Sequence, residues 1–328
     1  MTEKISLSVF ITSYRDNNYL DKLLKDISVQ NFPKNKVEIL LLVAGNYSKN
    51  RAIKNIGSFS SSLKFWHFPN LNRTKSLNFL IEKSVGKYLI RLDARSHINK
   101  YYFNDIYKLH EKNKAVNIGG FKLPIALNPM QKKIAALMRH PFSFGGGKFR
   151  SDEYSGQVKT VYLGSFKRAF LSNKPYDEIL YKISEDTDLN YQLIKNGHHI
   201  ILDSSIKVEY YPRENLPDFF KLCFNYGVGR GLFVIKNKIF YEPRQFLGIV
   251  LPLLCLILFF LSFFSLLYFE ILSSIIMSYL FCCLIFSLFM NREKNTDIFI
   301  YIIGFIGCHF SWVMGFFFSF YEYQKLKR

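Results

Sequence analysis

Over the first two-thirds of the chain, short apolar runs alternate with segments whose apolar positions recur every three or four residues. Over the last third the apolar positions become continuous. Residues 5–13 (ISLSVFITS), 37–44 (VEILLLVA), 63–68 and 87–93 (KYLIRLD) are short and rich in β-branched and leucine residues, which predicts buried strands. Between them, residues 17–30 carry Leu20, Leu23, Leu24 and Ile27 at helical spacing and close on Asn31-Phe32-Pro33. Residues 74–83 predict a second helix, ended by Gly86, and Gly45-Asn46 stops the second strand. The pattern is less regular further on. Residues 111–120 lead into a strand, 140–156 are loop-rich around Gly145-Gly146-Gly147, and 158–163 predict a strand. Residues 184–196 predict a helix with Ser184 as N-cap and Gly197 as stop, and 200–203 and 206–211 predict two short strands. No internal repeat is evident. The alternation predicts an α/β domain whose mainly parallel sheet is flanked by helices. Such sheets bind ligands beyond the carboxyl ends of their strands, where Ser13, Gly45 and Asp93 fall.

Composition shifts near Pro243. Residues 246–269, 271–290 and 298–321 form three apolar runs without formal charge, His309 being the polar exception in the third. About 20 apolar residues suffice for a helix to cross a bilayer core, so three transmembrane helices are expected. A core helix of this length would normally keep a polar face. Gly248, Ser262, Ser273, Ser274, Gly304 and Gly307 are small residues of the kind that let membrane helices pack closely. Residues 215–238 interleave Phe219, Phe220, Leu222, Phe224 and Val228 with Lys221, Arg230 and Lys236, the pattern of an amphipathic interfacial helix. The domains expected are therefore 1–214, a soluble-type domain; 215–245, an interfacial segment; 246–321, the membrane domain; and 322–328, a basic tail.

Charge adds to this picture. The 44 Lys and Arg against 25 Asp and Glu give a net charge of +19. Lys236, Lys238 and Arg244 precede the first apolar run, as the positive-inside rule expects of a cytoplasmic flank, and a basic face favours anionic lipid. No signal peptide pattern opens the sequence, so the N-terminal domain is expected on the cytoplasmic side of the cell membrane. No finger, basic zipper or ribonucleoprotein motif supports nucleic-acid binding. Three spans carrying the tail outward would leave Lys325, Lys327 and Arg328 on the side that rule disfavours. The five cysteines have no disulfide or zinc spacing, which points to a reducing compartment.

Two acidic positions are candidates for chemistry. Asp93 ends a strand in RLDAR, where a carboxylate facing the crevice suits a divalent cation shared with phosphate oxygens. Glu185-Asp186 opens the helix of SEDTDLNYQLIKNG, where the helix dipole favours an ionised carboxylate able to take a proton.

The order of these blocks resembles glycosyltransferase family 2, of the GT-A fold. SVFITSYRDNNYL resembles that family's first strand and turn, and EILLLVAGN its second strand. KSLNFLIEKSVGKYLIRLDAR resembles the segment leading to the metal-binding D-x-D, and SEDTDLNYQLIKNGHHIILD the catalytic E-D helix. Within the family the sequence is similar to membrane-bound glucosyltransferases of succinoglycan biosynthesis, through HPFSFGGGKFR, VKTVYLGSFKRAF and YYPRENLPDFFKLCFNYGVGRG, over about residues 5–245. The resemblance implies inverting transfer of a sugar, with a UDP-hexose as expected donor and Mg²⁺ or Mn²⁺ as cofactor. The expected acceptor is a polyprenyl-diphosphate-linked saccharide in the membrane, within cell-surface glycan synthesis. It implies Asp186 as general base and Asp93 as metal and donor ligand. Ser13 and Tyr14 then lie near the nucleotide base, Lys75 and Asn78 border the donor, and Arg230 lies beside the diphosphate. Glu185, His140 and Gly146 fall on the acceptor side.

Three positions depart from the family. The Asp usual after the second strand is Val43 or Ala44; the D-x-D reads Asp93-Ala94-Arg95, with His97 as a substitute ligand; and Gly231 follows Arg230 where the family has Trp. Two other functions remain compatible: a non-catalytic membrane scaffold that keeps the nucleotide-sugar fold, and a processive polysaccharide synthase.

Overall fold

In the computed structural model, residues 5–14, 17–143, 154–240, 242–290 and 298–327 are described. The chain divides into two compact units, Met1–Leu127 with Gly146–Pro212, and Asn128–Gly145 with Arg213–Arg328.

The first unit is a three-layer α/β structure. Its strands are β1 (Leu7–Ser13), β2 (Val37–Val43), β3 (Leu63–His67), β4 (Tyr88–Asp93), β5 (Ser96–Ile98), β6 (Asn117–Pro124), β7 (Gly156–Gln157), β8 (Tyr162–Lys167) and β9 (Ile200–Tyr210). They form one nine-stranded sheet in the order β3-β2-β1-β4-β8-β6-β9-β5, with β7 added beside β9. The β3-β2-β1-β4 half is parallel. Beyond it β8 runs antiparallel to both β4 and β6, so the sheet as a whole is mixed rather than mainly parallel.

Strand side chains alternate between faces. Leu7, Val9 and Ile11 of β1 pack on one side with α1 (Asn17–Ser28), α2 (Lys49–Ile56) and α4 (Tyr102–Lys112). Phe10, Leu40, Leu42 and Leu89 face the other side, against α3 (Arg73–Lys83) and α6 (Glu185–Lys195). Burial of these apolar side chains, about 1.5–3 kcal/mol each, is the main force holding the layers together. Sequence periodicity foresees β1, β2, β3, β4, α1, α3 and α6. It does not foresee α2, whose apolar positions are few, nor α4, although Tyr102, Phe103, Ile106 and Leu109 recur there at helical spacing, and it splits β9 in two where the structure has one continuous strand. The strand expected at 158–163 is displaced to β8.

The second unit consists of α5 (Pro129–Arg139), α7 (Leu216–Asn237), α8 (Pro243–Leu261), α9 (Leu266–Met290) and α10 (Ile298–Lys327). Two of them, α9 and α10, are long and apolar enough to cross a membrane. The apolar part of α8, Gln245–Leu261, is shorter than that measure. The first apolar run breaks at a turn over 262–264, where Ser262 Oγ donates to the Phe259 carbonyl at 2.6 Å, and its last residues start α9. Met277, Phe281 and Phe289 of α9 are mostly exposed, unlike the side chains of a soluble core helix.

Within this unit α7 lies along α10. A Cβ at Gly227 would strike the Trp312 carbonyl, one at Gly315 the Phe224 carbonyl, and one at Gly231 the Ser319 hydroxyl. Phe220 fills the space over Gly307. These pairs advance in the same direction along both helices, so α7 and α10 are parallel, and small residues bring their backbones together.

Candidate functional site

The site forms beyond the carboxyl ends of β1, β2 and β4. The register sets Thr12 beside Asp93 and Ser13 beside Val43. The Ala44 N–H donates to the Ser13 carbonyl at 2.9 Å. Any side chain on Gly45 would collide with the Tyr14 carbonyl, so glycine is required for the two strand ends to come this close. Tyr14 reaches α3, its hydroxyl 3.3 Å from Ser76 Oγ, and burial raises its pKa. Ser13 is buried, and its hydroxyl has no hydrogen-bond partner among the described residues.

Arg91 and Asp93 are two apart on β4 and therefore share a face. It is the face on which α3 and α6 pack. Four side chains meet there. Arg73, the first residue of α3, donates from Nη2 to both oxygens of Asp93, at 3.0 and 3.1 Å, and from Nε to Glu185 at 2.9 Å. Arg91 donates from Nη2 to the same Glu185 oxygen at 2.8 Å, and its Nε lies 3.4 Å from Asp93. Arg91 and Glu185 are almost wholly enclosed, their side chains 6% and 3% exposed, whereas Arg73 and Asp93 keep 30% and 24%. Burial opposes the charge on Asp93, but the Arg73 and Arg91 guanidiniums outweigh it and hold the carboxyl well below the usual carboxylate range. Glu185 is lowered in the same way, burial again being overcome by Arg73 and Arg91. Two cations thus balance two carboxylates, the arrangement that makes burial of charge tolerable.

The segment before α6 is tied to α3. Asn78 donates to the Tyr176 carbonyl at 2.7 Å and accepts from the Tyr176 N–H at 3.0 Å, and Thr74 donates to the Leu180 carbonyl at 2.9 Å. The Tyr176 ring lies beside Arg91, 5.8 Å from the guanidinium to the ring centroid, and burial pushes its hydroxyl up to about 12. Ser184 then takes a left-handed backbone, φ 80°, and makes no side-chain cap bond. The expected N-cap position is thus occupied, but as a sharp turn. That turn directs Glu185 inward and leaves Asp186 half-buried at the start of α6, accepting from the Thr187 N–H at 2.7 Å. Farther along α6, Asn190 accepts from Asn117 of β6 at 2.7 Å and donates to Thr160 at 3.0 Å, which fixes the helix to the sheet.

Of the residues singled out in the sequence, Ser13, Tyr14, Asp93, Glu185 and Asp186 belong to this neighbourhood. Lys75 is on the exposed side of α3, 3.7 Å from Glu178. Asn78 is buried, its amide bonded to Tyr176. His97, on β5, has Nδ1 2.8 Å from Asp26 and Nε2 3.5 Å from Glu209. Arg95 turns away from Asp93: it donates to the Tyr211 and Pro212 carbonyls at 2.9 and 2.6 Å and stacks on Tyr19. Its side chain therefore supports the end of β9. Arg230 and His140 belong to the second unit, where His140 packs against Phe286 and Phe305. Gly146 lies outside the described residues.

The residues not foreseen are Arg73, Arg91 and Tyr176. Arg91 did leave a signal, a cation inside an otherwise apolar strand two positions before Asp93. Arg73 left none, because its partner Glu185 is 112 residues away. Among the described residues there is no cluster of three or more His, Cys, Asp or Glu able to hold a metal by itself.

No family model matches the chain. The chain is 23% identical over 264 residues to the dolichyl N-acetyl-alpha-D-glucosaminyl phosphate 3-beta-D-2,3-diacetamido-2,3-dideoxy-beta-D-glucuronosyltransferase of Methanococcus voltae, covering 76% of this chain and 81% of that one. It is 24% identical over 251 residues to the succinoglycan biosynthesis protein ExoA of Rhizobium meliloti, covering 75% of each. A mannosyltransferase from Pyrobaculum calidifontis, solved with GDP-Man and Mn²⁺, shares the fold with a TM-score of 0.58 at 11% identity, over 96% of this chain and 88% of that one. The chain is thus similar in sequence to glycosyltransferases and shares a GT-A-like fold with a solved mannosyltransferase.

Proposed function

We propose that the first unit moves a hexose from a nucleoside-diphosphate donor, UDP in the first instance, to a hydroxyl of a lipid-linked saccharide, inverting the anomeric carbon. The observation that carries this proposal is the convergence of Asp93, Glu185 and Asp186 with two guanidiniums on one face of the sheet, beyond the ends of β1 and β4. In this reaction Asp186 takes the proton of the acceptor hydroxyl as that oxygen attacks the anomeric carbon. The bond to the diphosphate oxygen breaks on the opposite face, and its electron pair leaves with the nucleoside diphosphate. Asp186 suits the part because it is half-exposed in the first turn of α6, where the helix N-terminus favours its ionised form. Glu185, bonded to both arginines, positions that turn.

Asp93 is a hard oxygen ligand at a strand end, partly exposed and held ionised. It suits Mg²⁺ or Mn²⁺, which take few protein ligands and fill the rest with substrate phosphate and water. Bound there, the ion would supply neutralisation of the leaving diphosphate. His97 has no part in this proposal, both its ring nitrogens facing acids other than Asp93. Ser13, Tyr14 and Lys75 border the nucleotide, and Asn78 positions the 176–184 segment.

The apolar α9 and α10 support a membrane-borne acceptor. So does the Methanococcus relative, whose name gives it a dolichyl phosphate sugar as substrate. In this reading the protein sits in the cell membrane with its first unit on the cytoplasmic face, where Lys236 and Lys238 precede α8. The test is Asp186→Asn in the full chain in detergent. Turnover falls by about a thousandfold or more, as for loss of an essential base, while UDP binding is kept. Undiminished turnover would remove Asp186 as the base.

A further inference from the structure

The Asp93 carboxylate faces two competing claims. As a ligand for a divalent cation it must offer an oxygen, yet both its oxygens accept from Arg73 Nη2. The two arginines of the cluster are not equivalent. Arg91 is enclosed beneath Tyr176 and bonds Glu185 from within the sheet face. Arg73 stands at the rim, at the start of α3, with nearly a third of its side chain reaching solvent. If Arg73 leaves, Glu185 keeps Arg91 as its buried counter-charge, and Asp93 keeps Arg91 at 3.4 Å. Neither carboxylate is stranded. A planar, five-donor guanidinium is also the side chain best matched to the paired oxygens of a diphosphate.

We infer that Arg73 is a donor-binding residue held in reserve: it occupies Asp93 and Glu185 in the free protein, and a nucleoside diphosphate draws it onto its phosphate oxygens, freeing Asp93 for the divalent cation. This inference rests on the assignment of the first unit as the nucleotide-sugar site. It accounts for how a site with a single strand-end carboxylate, its second D-x-D position given over to Arg95, still balances the charge of a diphosphate. It makes nucleotide and metal mutually supportive, because each removes an obstacle to the other, and such coupling is reciprocal. It also makes Arg73 a competitor of the metal in the absence of nucleotide.

The experiment uses the full chain in detergent, as wild type, Arg73→Gln and Arg73→Lys. UDP and GDP binding is followed by calorimetry with EDTA, and Mn²⁺ alone by electron paramagnetic resonance. With EDTA, Arg73→Gln binds the preferred nucleotide at least about tenfold more weakly than wild type, the loss expected for charge-assisted bonds to phosphate, and Arg73→Lys falls between. Mn²⁺ alone binds Arg73→Gln several-fold more tightly than wild type. In the wild type, which needs no substitution to fold, saturating nucleotide tightens Mn²⁺ binding. An arginine that only stabilises the fold would weaken both ligands together and lower the melting temperature. That result overturns the inference, as does unchanged nucleotide affinity in Arg73→Gln or Mn²⁺ affinity in the wild type that ignores nucleotide. If the wild type binds neither UDP nor GDP with or without Mn²⁺, the nucleotide-sugar assignment itself falls, and this inference with it.

Discussion

Arg91 is the residue on which the buried charge of the site depends. It is enclosed, it bonds Glu185, and it lies beside Tyr176. Arg91→Leu would leave Glu185 with Arg73 alone, and breaking such a buried pair costs about 3 kcal/mol. The expected outcome is a marked fall in the melting temperature of the first unit, read by near-ultraviolet circular dichroism; a melting temperature equal to wild type would show that Arg73 suffices. The acids of this cluster were legible in the sequence because a strand end and a helix start are local signals. The cations were legible only in part. Arg91 could be read from its spacing to Asp93, since residues two apart on a strand share a face. The pairing of Arg73 with Glu185 depends on how α3 and α6 dock on the same sheet face, which no local periodicity encodes. The same holds for Arg95. Its place in the D-x-D pattern suggested a lost ligand, and its contacts show a side chain committed to the Tyr211 and Pro212 carbonyls.

At the scale of elements, β1, β2 and α1 were readable from their strong patterns, the short polar α2 was not, and α4 went unread despite its helical spacing. KNRAIKNI of α2 and YFNDIYKLHEK of α4 each bury a few side chains against a sheet face that the local sequence does not name. The 215–238 segment reads as amphipathic because charges punctuate its apolar residues. In the structure Phe219, Leu222, Cys223 and Val228 are buried and Gly227 and Gly231 abut α10, a contact that becomes apparent only when the two helices are aligned side by side. The Gly231 contact makes a definite prediction. Gly231→Leu forces its side chain into Ser319 and the Phe316 carbonyl, so α7 and α10 must separate, at a cost of about 1–3 kcal/mol for overpacking. An SDS titration of the purified protein should place half-unfolding at a lower detergent fraction than wild type; coincident curves would mean that the two helices are not packed as described.

For the molecule as a whole, a mixed sheet carrying a charge-balanced site and a set of apolar helices are joined in one chain. The change of composition near Pro243 marks the start of the apolar helices, whereas the second unit begins at Arg213 and takes in Asn128–Gly145, which the sequence did not set apart from the first. The turn at 262–264 was less plain, since Ser262 and Ser265 alone punctuate the apolar run there, with no charge, Gly or Pro, and only the backbone reveals where α8 gives way to α9. The proposed function joins the two parts in one reaction, transfer of a hexose to an acceptor that lives in the bilayer. The most direct test incubates the full chain in detergent with Mn²⁺, a panel of UDP- and GDP-hexoses and a short polyprenyl-diphosphate-linked saccharide, and reads the product by mass and by the anomeric coupling in its proton NMR spectrum. One hexose from one donor is expected to be added, with anomeric configuration opposite to that of the donor. Retention of configuration, or no transfer and no hydrolysis from any donor in the panel, would contradict the proposed function.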